Sequence, residues 1–486
     1  MAWPFMNRLI CRHRYYRFQI RCIWHIIFCI LKKYISWSCI IGIMVEFKSS
    51  HAAFDQMRIT PTFIEITILS SMGVFMDGFS LSIFSAALTY LKSYILVRAI
   101  FVSLAASAIY IGMFLGSFTM GHLSDRIGRK RMYTYDLAIT SVFLVLTALS
   151  TSFYEFFIFE LLAGIGIGAD YPLSSSIEAE FSPRRSRGRF LVFNIFMWTI
   201  GSIVFYVISI PLIFRFGSES WRWMYGVGAI VPVVVILARR ALPESPYWLV
   251  KAGKDSEAKT VADSMGREAG YTDVDLPNVE KGSSSFRSVF SGSYLPLIIF
   301  ASLAWFSYDV SSYGVWNYTP SIFVSVGVSA VSSILSTLLE DLPVIVGFII
   351  CLLLIERVGR KILQSVGFGL AGVSLLSFAL YADHRTLPFI MLFTAFAMMH
   401  LFHNIGPTNL TYVYPVEIFP TRIRGTAMGI ATAASRIGAI LGVFAFPLIT
   451  ASMGMSASLM FFAIFEFVGF IVTVVLAPET KSRPIT

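Results

Sequence analysis

Twelve apolar runs, each about the length of a membrane-crossing helix, constrain this chain more than any other feature. They lie near residues 62–91, 99–121, 132–150, 154–177, 190–214 and 221–241, then 292–325, 330–355, 362–382, 387–414, 425–449 and 453–477. A helix needs about 20 residues to cross the hydrocarbon core. A barrel strand needs roughly ten, alternating in polarity, and these runs are too long and too continuous for that. Composition agrees: 56% of the 486 residues are hydrophobic and 14% are charged, against about 25% charged in a soluble domain. One aqueous core cannot bury so much apolar surface, and so few charges cannot cover it. A soluble enzyme, a disordered chain and a disulfide-rich module are excluded. The expectation is an all-α polytopic protein of the lipid bilayer.

The net charge of +10 is unevenly placed. Residues 1–43 hold seven lysines and arginines and no acid, so only +3 belongs to the rest. This basic, apolar extension has no signal-peptide cleavage site. It reads either as an interfacial segment or as an over-extended start, because Met44 opens an ordinary cytoplasmic beginning. Nucleic-acid binding is not expected, since the basic residues form no solvated face. Four of the five cysteines fall in the extension and Cys351 stands alone in an apolar run. With no CxxC pair, neither a zinc site nor a disulfide framework is expected.

Loop charge sets the orientation. Arg126, Arg129, Lys130 and Arg131 follow the second run, Arg184, Arg185, Arg187 and Arg189 the fourth, Arg357, Arg360 and Lys361 the eighth, and Arg422 and Arg424 the tenth. The alternate loops are nearly bare. Basic residues stay inside, so both termini and the polar stretch 242–291 are expected in the cytoplasm. The organisation expected is a six-helix bundle over 44–241, a cytoplasmic loop over 242–291, a second bundle over 292–477, and a short tail, 478–486.

The two halves repeat. Leu123-Ser124-Asp125-Arg126-Ile127-Gly128-Arg129-Lys130 matches Leu354-Ile355-Glu356-Arg357-Val358-Gly359-Arg360-Lys361, and Glu180, Pro183, Arg185, Arg187 and Gly188 match Glu417, Pro420, Arg422, Arg424 and Gly425. The offsets, 231 and 237, nearly agree, which implies a duplicated six-helix unit. Repeated halves with a site between them are the architecture of many secondary transporters. The segment from Gly121 to Lys130 resembles the loop 2–3 signature of the major facilitator superfamily. Pro243-Glu244-Ser245-Pro246 and Pro478-Glu479-Thr480-Lys481 resemble its sugar-porter branch. The resemblance implies two pseudo-symmetric six-helix bundles working by alternating access, as a monomer, with no cofactor and no catalysis. Asp125 and Glu356, beside arginines, are read as gating charges that pair and separate as the halves rock. Solvated orientation charges would explain the arginines, but neither Gly128 and Gly359 nor the repeat.

Polar residues inside the runs mark the path. Asp77, Asp170 and Asp309 sit within runs 1, 4 and 7. A carboxylate at membrane depth costs a few kcal/mol even on the lenient insertion scale, so each should face a cavity or a partner. Desolvation favours the neutral acid, which suits such groups to proton transfer. The alternative is a structural ion pair, with Arg436 in run 11 as the evident base. Trp305, Asp309 and Tyr313 share one helix face at i, i+4, i+8 and can point an indole N–H, a carboxyl and a phenol into one cavity. Gly164-Ile165-Gly166-Ile167-Gly168 has the wrong spacing for a dinucleotide loop and suits close helix packing. His400 and His403 make a poor metal site. No P-loop is present, so ATP-driven pumping has no support.

Within the superfamily the chain is most similar to phosphate:proton symporters, through Gly164 to Ser175 and the Trp305–Asp309–Tyr313 face. That resemblance implies a phosphate site of Asp170, Tyr171, Trp305, Asp309, Tyr313, Thr408 and Arg436, with Asp77 and Asp309 moving protons. The chain departs from the family at Ser80, Trp198, Thr408 and Arg436, where the family has aspartate, glutamine, asparagine and lysine. The expected function is therefore proton-coupled transport of a small solute across the cell membrane, with phosphate leading and a sugar or an organic anion as the alternative. A sugar site would want paired glutamines on run 7, which are missing. A non-transporting receptor on the same scaffold would want larger cytoplasmic extensions.

Overall fold

The computed structural model describes residues 51–53, 57–91, 98–183, 187–240, 242–271, 273–276, 289–290, 292–325, 327–380, 389–419 and 421–481. The extension over 1–43 lies outside the described residues. The membrane-crossing helices of the first half are α1 (Pro61–Leu91), α2 (Ala99–Ile127), α3 (Arg129–Leu149), α4 (Phe153–Phe181), α5 (Arg187–Phe216) and α6 (Ser220–Arg239). Two short helices follow, α7 (Pro246–Lys251) and α8 (Asp255–Ala269). The second half continues with α9 (Leu295–Trp316), α10 (Thr319–Ser325), α11 (Ala330–Leu354), α12 (Arg360–Ala379), α13 (Phe389–Ile405), α14 (Pro407–Ile418) and α15 (Thr421–Leu476).

Among the described residues these helices make twelve crossings. The seventh run is α9 with α10, and the tenth is α13 with α14, broken at Gly406. α15 holds the last two runs and bends at Gly454, whose φ of 89° is non-helical. Several helices outrun their apolar runs at the charged ends, because the backbone hydrogen-bond ladder continues into the interface after the hydropathy has fallen.

The stretch 242–291 is more than a loop. α8 buries Ala258, Ala262 and Met265, which share a helical face, and Glu268 accepts hydrogen bonds from the backbone N–H and the hydroxyl of Thr62 at the start of α1. Strands β1 (His51–Ala53) and β2 (Asp273–Asp275) pair in parallel beside it.

The residue distribution is inverted relative to a soluble protein. Leu149, Phe214 and Val475 are 67%, 74% and 68% exposed, while Asp77, Asp170, Asp309, Arg239 and Arg436 are buried. In water the apolar exterior would be a liability; in lipid it is the solvated face, and polar groups must be satisfied inside. Serines and threonines within the spans do so by bonding back one turn, as Ser107 to the Ser103 carbonyl at 2.7 Å and Thr147 to that of Phe143 at 2.8 Å.

The two halves meet where α2 packs on α15 and α5 on α11. Within the first half, α2 and α4 touch backbone to backbone. A Cβ on Gly112 or Gly116 would lie 2.0 or 2.1 Å from the carbonyl oxygens of Leu161 and Ile165, and one on Gly164 or Gly168 would lie 2.1 Å from those of Ile109 and Met113. The glycine run of α4 is thus a packing surface, as its position in an apolar run suggests. Gly168→Ala should lower the thermal unfolding temperature of the detergent-purified protein, by a loss of about 1–3 kcal/mol from overpacking. Gly226→Ala, where a Cβ meets nothing within 4 Å, should not. Equal effects at the two sites would contradict this packing.

Candidate substrate cavity and its ion pairs

A cavity opens between α5 of the first half and α9, α11, α13, α14 and α15 of the second. Its unfilled volume is about 770 Å³, counted to the open mouth. α9 contributes one continuous face, Trp305, Tyr308, Asp309, Ser312, Tyr313 and Trp316, so the i, i+4, i+8 reading of this helix holds in three dimensions. α15 lies against α9 because Gly438 and Gly442 admit the carbonyls of Phe306 and Val310 at distances where a Cβ would clash. That contact brings Arg436 Nη1 to 3.6 Å from Asp309 Oδ2, with both side chains at most 2% exposed. Arg436, the base named in the alternative reading of the three buried acids, thus stands against Asp309.

Aromatic rings wall the rest. Trp198 of α5 lies 4.9 Å from Trp316 and 6.4 Å from Tyr313, centroid to centroid. Trp305 meets Tyr412 edge-on at 6.1 Å, and the Arg436 guanidinium stands 6.0 Å from the Tyr313 ring. Thr408 also lines the cavity and donates its hydroxyl proton to Tyr308 Oη at 2.9 Å. Tyr110 Oη accepts from Asn317 Nδ2 at 2.8 Å and packs on Tyr313. Trp198 therefore narrows the pocket with apolar surface where an amide would have offered hydrogen bonds.

Asp170 is elsewhere. Its carboxylate accepts from Arg239 Nη1 at 3.2 Å and from Ser174 Oγ at 3.0 Å. Arg239 also donates to the carbonyls of Leu69 and Ser70, and its guanidinium lies 3.9 Å above the Tyr133 ring. A Cβ on Gly73 would coincide with the Asp170 carboxylate, so α1 supports the pair closely. Asp77 stands one turn further along α1, fully buried, and one of its oxygens has no hydrogen-bond partner among the described residues. Neither Asp77 nor Asp170 lines the cavity. The Tyr171 side chain lies outside the described residues.

The repeated motifs share one construction. Gly128 and Gly359 have φ/ψ of 107°/151° and 103°/162°, a region open to glycine, and each directly precedes a helix. A carboxylate sits at each helix start. Glu244 accepts from the Lys130 backbone N–H at 3.3 Å, and Glu479 from those of Arg360 and Lys361, both at 3.1 Å. Burial alone would push the Glu479 carboxyl up, but the backbone N–H groups of Lys481, Arg360, Lys361 and Thr480 together hold it below its ordinary value. Arg360 also forks onto Glu356 at 2.8 Å and Glu417 at 3.0 Å. Arg357 and Glu180 lie at helix ends nearby in sequence to these motifs, and Lys481 Nζ donates to the Arg357 carbonyl. Gly121, Asp125, Arg126, Arg129, Arg187 and Arg424 are helical in backbone, but their side chains lie outside the described residues.

Several buried charges escaped the sequence reading: Arg239, Asp136, Glu340, Asp341 and Glu466. The rule that flagged Asp77, an acid inside an apolar run, applies equally to Asp136, Glu340, Asp341 and Glu466. Arg239 ends its run beside Arg240 and looks like a loop charge. Removing one member of a buried pair costs about 3–5 kcal/mol. Arg239→Met should therefore destabilise the protein strongly, and Asp170→Asn/Arg239→Met should lose much less than the two single changes added. Additive losses in thermal unfolding would contradict the pairing.

The comparisons with known proteins agree with this architecture. Residues 41–486 match the family model described as sugar (and other) transporter. The niacin transporter NiaP of Acinetobacter baylyi is 29% identical over 77% of this chain and 84% of its own length. A protein of Arabidopsis thaliana described as probable inorganic phosphate transporter 1-6 is 27% identical over 86% of this chain and 92% of its own length. The solved structure of the xylose transporter XylE from E. coli, partially occluded and inward open, superposes with a TM-score of 0.74 at 20% identity, covering 87% of this chain and 99% of that one. With the fold and nearly the whole sequence matched, this multi-pass membrane protein belongs to the sugar (and other) transporter family, and it is a transporter rather than an enzyme.

Proposed function

We propose that this chain moves a small organic anion carrying a flat ring, together with protons, by alternating access between its two halves. The single observation that carries the reading is the buried Arg436–Asp309 pair in a cavity walled by Trp198, Trp305, Trp316 and Tyr313. A guanidinium recognises a carboxylate through paired hydrogen bonds, and the rings offer faces on which an aromatic substrate can stack. An anion that engages Arg436 takes it from Asp309. Asp309 is then a buried carboxylate without its base, which is strongly unfavourable unless it takes a proton. Anion and proton therefore bind together, and their joint neutrality lets the cavity close.

Asp77 is a second candidate for proton exchange because it is buried and partly unsatisfied. Asp170 serves the fold of the first half through Arg239. The Arg360–Glu356–Glu417 fork and the Glu244 and Glu479 caps act as the gate on the arginine-rich face, which the loop charges assign to the cytoplasm along with both termini. A monomer suffices, since the cavity lies between halves of one chain.

Inorganic phosphate is the second reading. The glycine-rich α4 motif favours it, as does the phosphate transporter relative. Trp198 and the placement of Asp170 outside the cavity weigh against it. For a sugar, no glutamine among the described residues lines the cavity; Gln364 donates to Thr473 at 3.2 Å. The test is uptake into proteoliposomes with and without an inward proton gradient, using nicotinic acid, benzoic acid, phosphate and xylose. Gradient-driven accumulation of a ring acid is expected, with Trp198→Ala weakening it at least tenfold and Asp309→Asn abolishing it. Accumulation of phosphate alone would favour the second reading. Undiminished accumulation by Asp309→Asn would overturn the coupling.

A further inference from the structure

The second half contains a buried acid–imidazole cluster that the anion site does not use. α13 presents His400 and His403, one turn apart, between α11 and the later part of α15. His403 Nε2 lies 2.8 Å from Glu466 Oε1, with side chains 1% and 0% exposed. His400 Nε2 lies 3.9 Å from Glu340 Oε2. Asp341, next to Glu340, is 7% exposed and lines the cavity together with His400 and His403. Among the described residues, both oxygens of Glu340, one each of Asp341 and Glu466, and Nδ1 of His403 have no hydrogen-bond partner.

Among the described residues, no lysine or arginine pairs with this cluster. From α9, Tyr308 packs its ring 5.1 Å from that of His403. From α5, Tyr206 lies within electrostatic reach of Glu340 and Asp341. From α12, Gly372 abuts Glu466. Arg436 pairs with Asp309. Three carboxyls thus face two imidazoles. Even with both imidazoles charged, one acid remains in excess, and Glu340, 2% exposed and with neither oxygen hydrogen-bonded among the described residues, is the acid whose uncompensated charge would cost most. The shortfall must be met by protons.

We propose that Glu466, His403, His400, Glu340 and Asp341 form a second proton-binding site, filled from the cavity through His400 and Asp341 and separate from the Asp309 site. The inference goes beyond the anion reading and holds whichever solute is carried. An unperturbed imidazole changes its charge between about pH 5 and 8, and the open edge at Asp341 and His400 gives the cluster access to water in the cavity.

Proton counting tests it without any solute. Purified protein in unbuffered detergent solution is titrated between about pH 8 and pH 5 and compared with His403→Gln/Glu466→Gln, in which the amides can still bond each other. The wild type should take up about one proton more per chain. Nitrogen-15 histidine resonance on the unaltered protein provides a readout that needs no variant. At least one of His400 and His403 should change its charge over that range, and Asp341→Asn, at the cavity edge, should shift its titration. Equal proton counts with both imidazoles fixed in one state would make the cluster a static ion pair and overturn the proposal.

Discussion

Charge buried in hydrocarbon must be neutralised within the protein, and this requirement organises the whole molecule. Within its membrane-spanning part, each half encloses a guanidinium against a carboxylate, Arg239 with Asp170 and Arg436 with Asp309. The two pairs differ in setting. Arg239 is held by two backbone carbonyls and a tyrosine ring in addition to its acid, and it is closed off by α1. Arg436 faces the cavity, and its contact with Asp309 is the longer of the two. The first arrangement suits a structural role, and the second suits a pair that opens when an anion arrives.

Around these pairs the fold is made from a repeated unit. Gly128 and Gly359 share a backbone conformation, and each hands over to a helix whose first N–H groups meet a glutamate from a distant segment. Glu244 and Glu479 thereby extend the duplication beyond the two motif pairs that reveal it in the sequence, and their offset of 235 lies between the other two. A helix start carries unpaired N–H groups and a partial positive charge. A carboxylate there is stabilising and can be released without unfolding anything, which is what a rocking joint requires.

The twelve crossings were legible because lipid exposure demands long apolar runs, and the α9 face was legible because helical periodicity places Trp305, Asp309 and Tyr313 together. Arg436 was the evident base for the same reason that it is rare: a cation inside an apolar run has to meet an acid. The Asp170 partner was hidden, since Arg239 stands 69 residues away at the end of a run and next to Arg240. The caps were hidden too, because Glu479 meets Arg360 across 119 residues. The motifs show that these residues recur, while hydropathy says nothing about their contacts. α8 could have been found from the spacing of Ala258, Ala262 and Met265 within a stretch that otherwise reads as polar. His403 was noted in its apolar run and Glu466 was not, and only the fold, which brings His403 Nε2 to 2.8 Å from Glu466 Oε1, makes them a pair.

The exchange at Arg436 is the step on which transport depends in this reading, and calorimetry can observe it directly. Nicotinic acid binding to the purified protein is measured near neutral pH in buffers of different ionisation enthalpy, which reports the protons taken up per ligand bound. Release of Asp309 from Arg436 predicts uptake of about one proton per anion, lost in Asp309→Asn. Anion binding with no proton uptake in the wild type would show that Asp309 keeps its charge when the site fills, and would contradict the coupling.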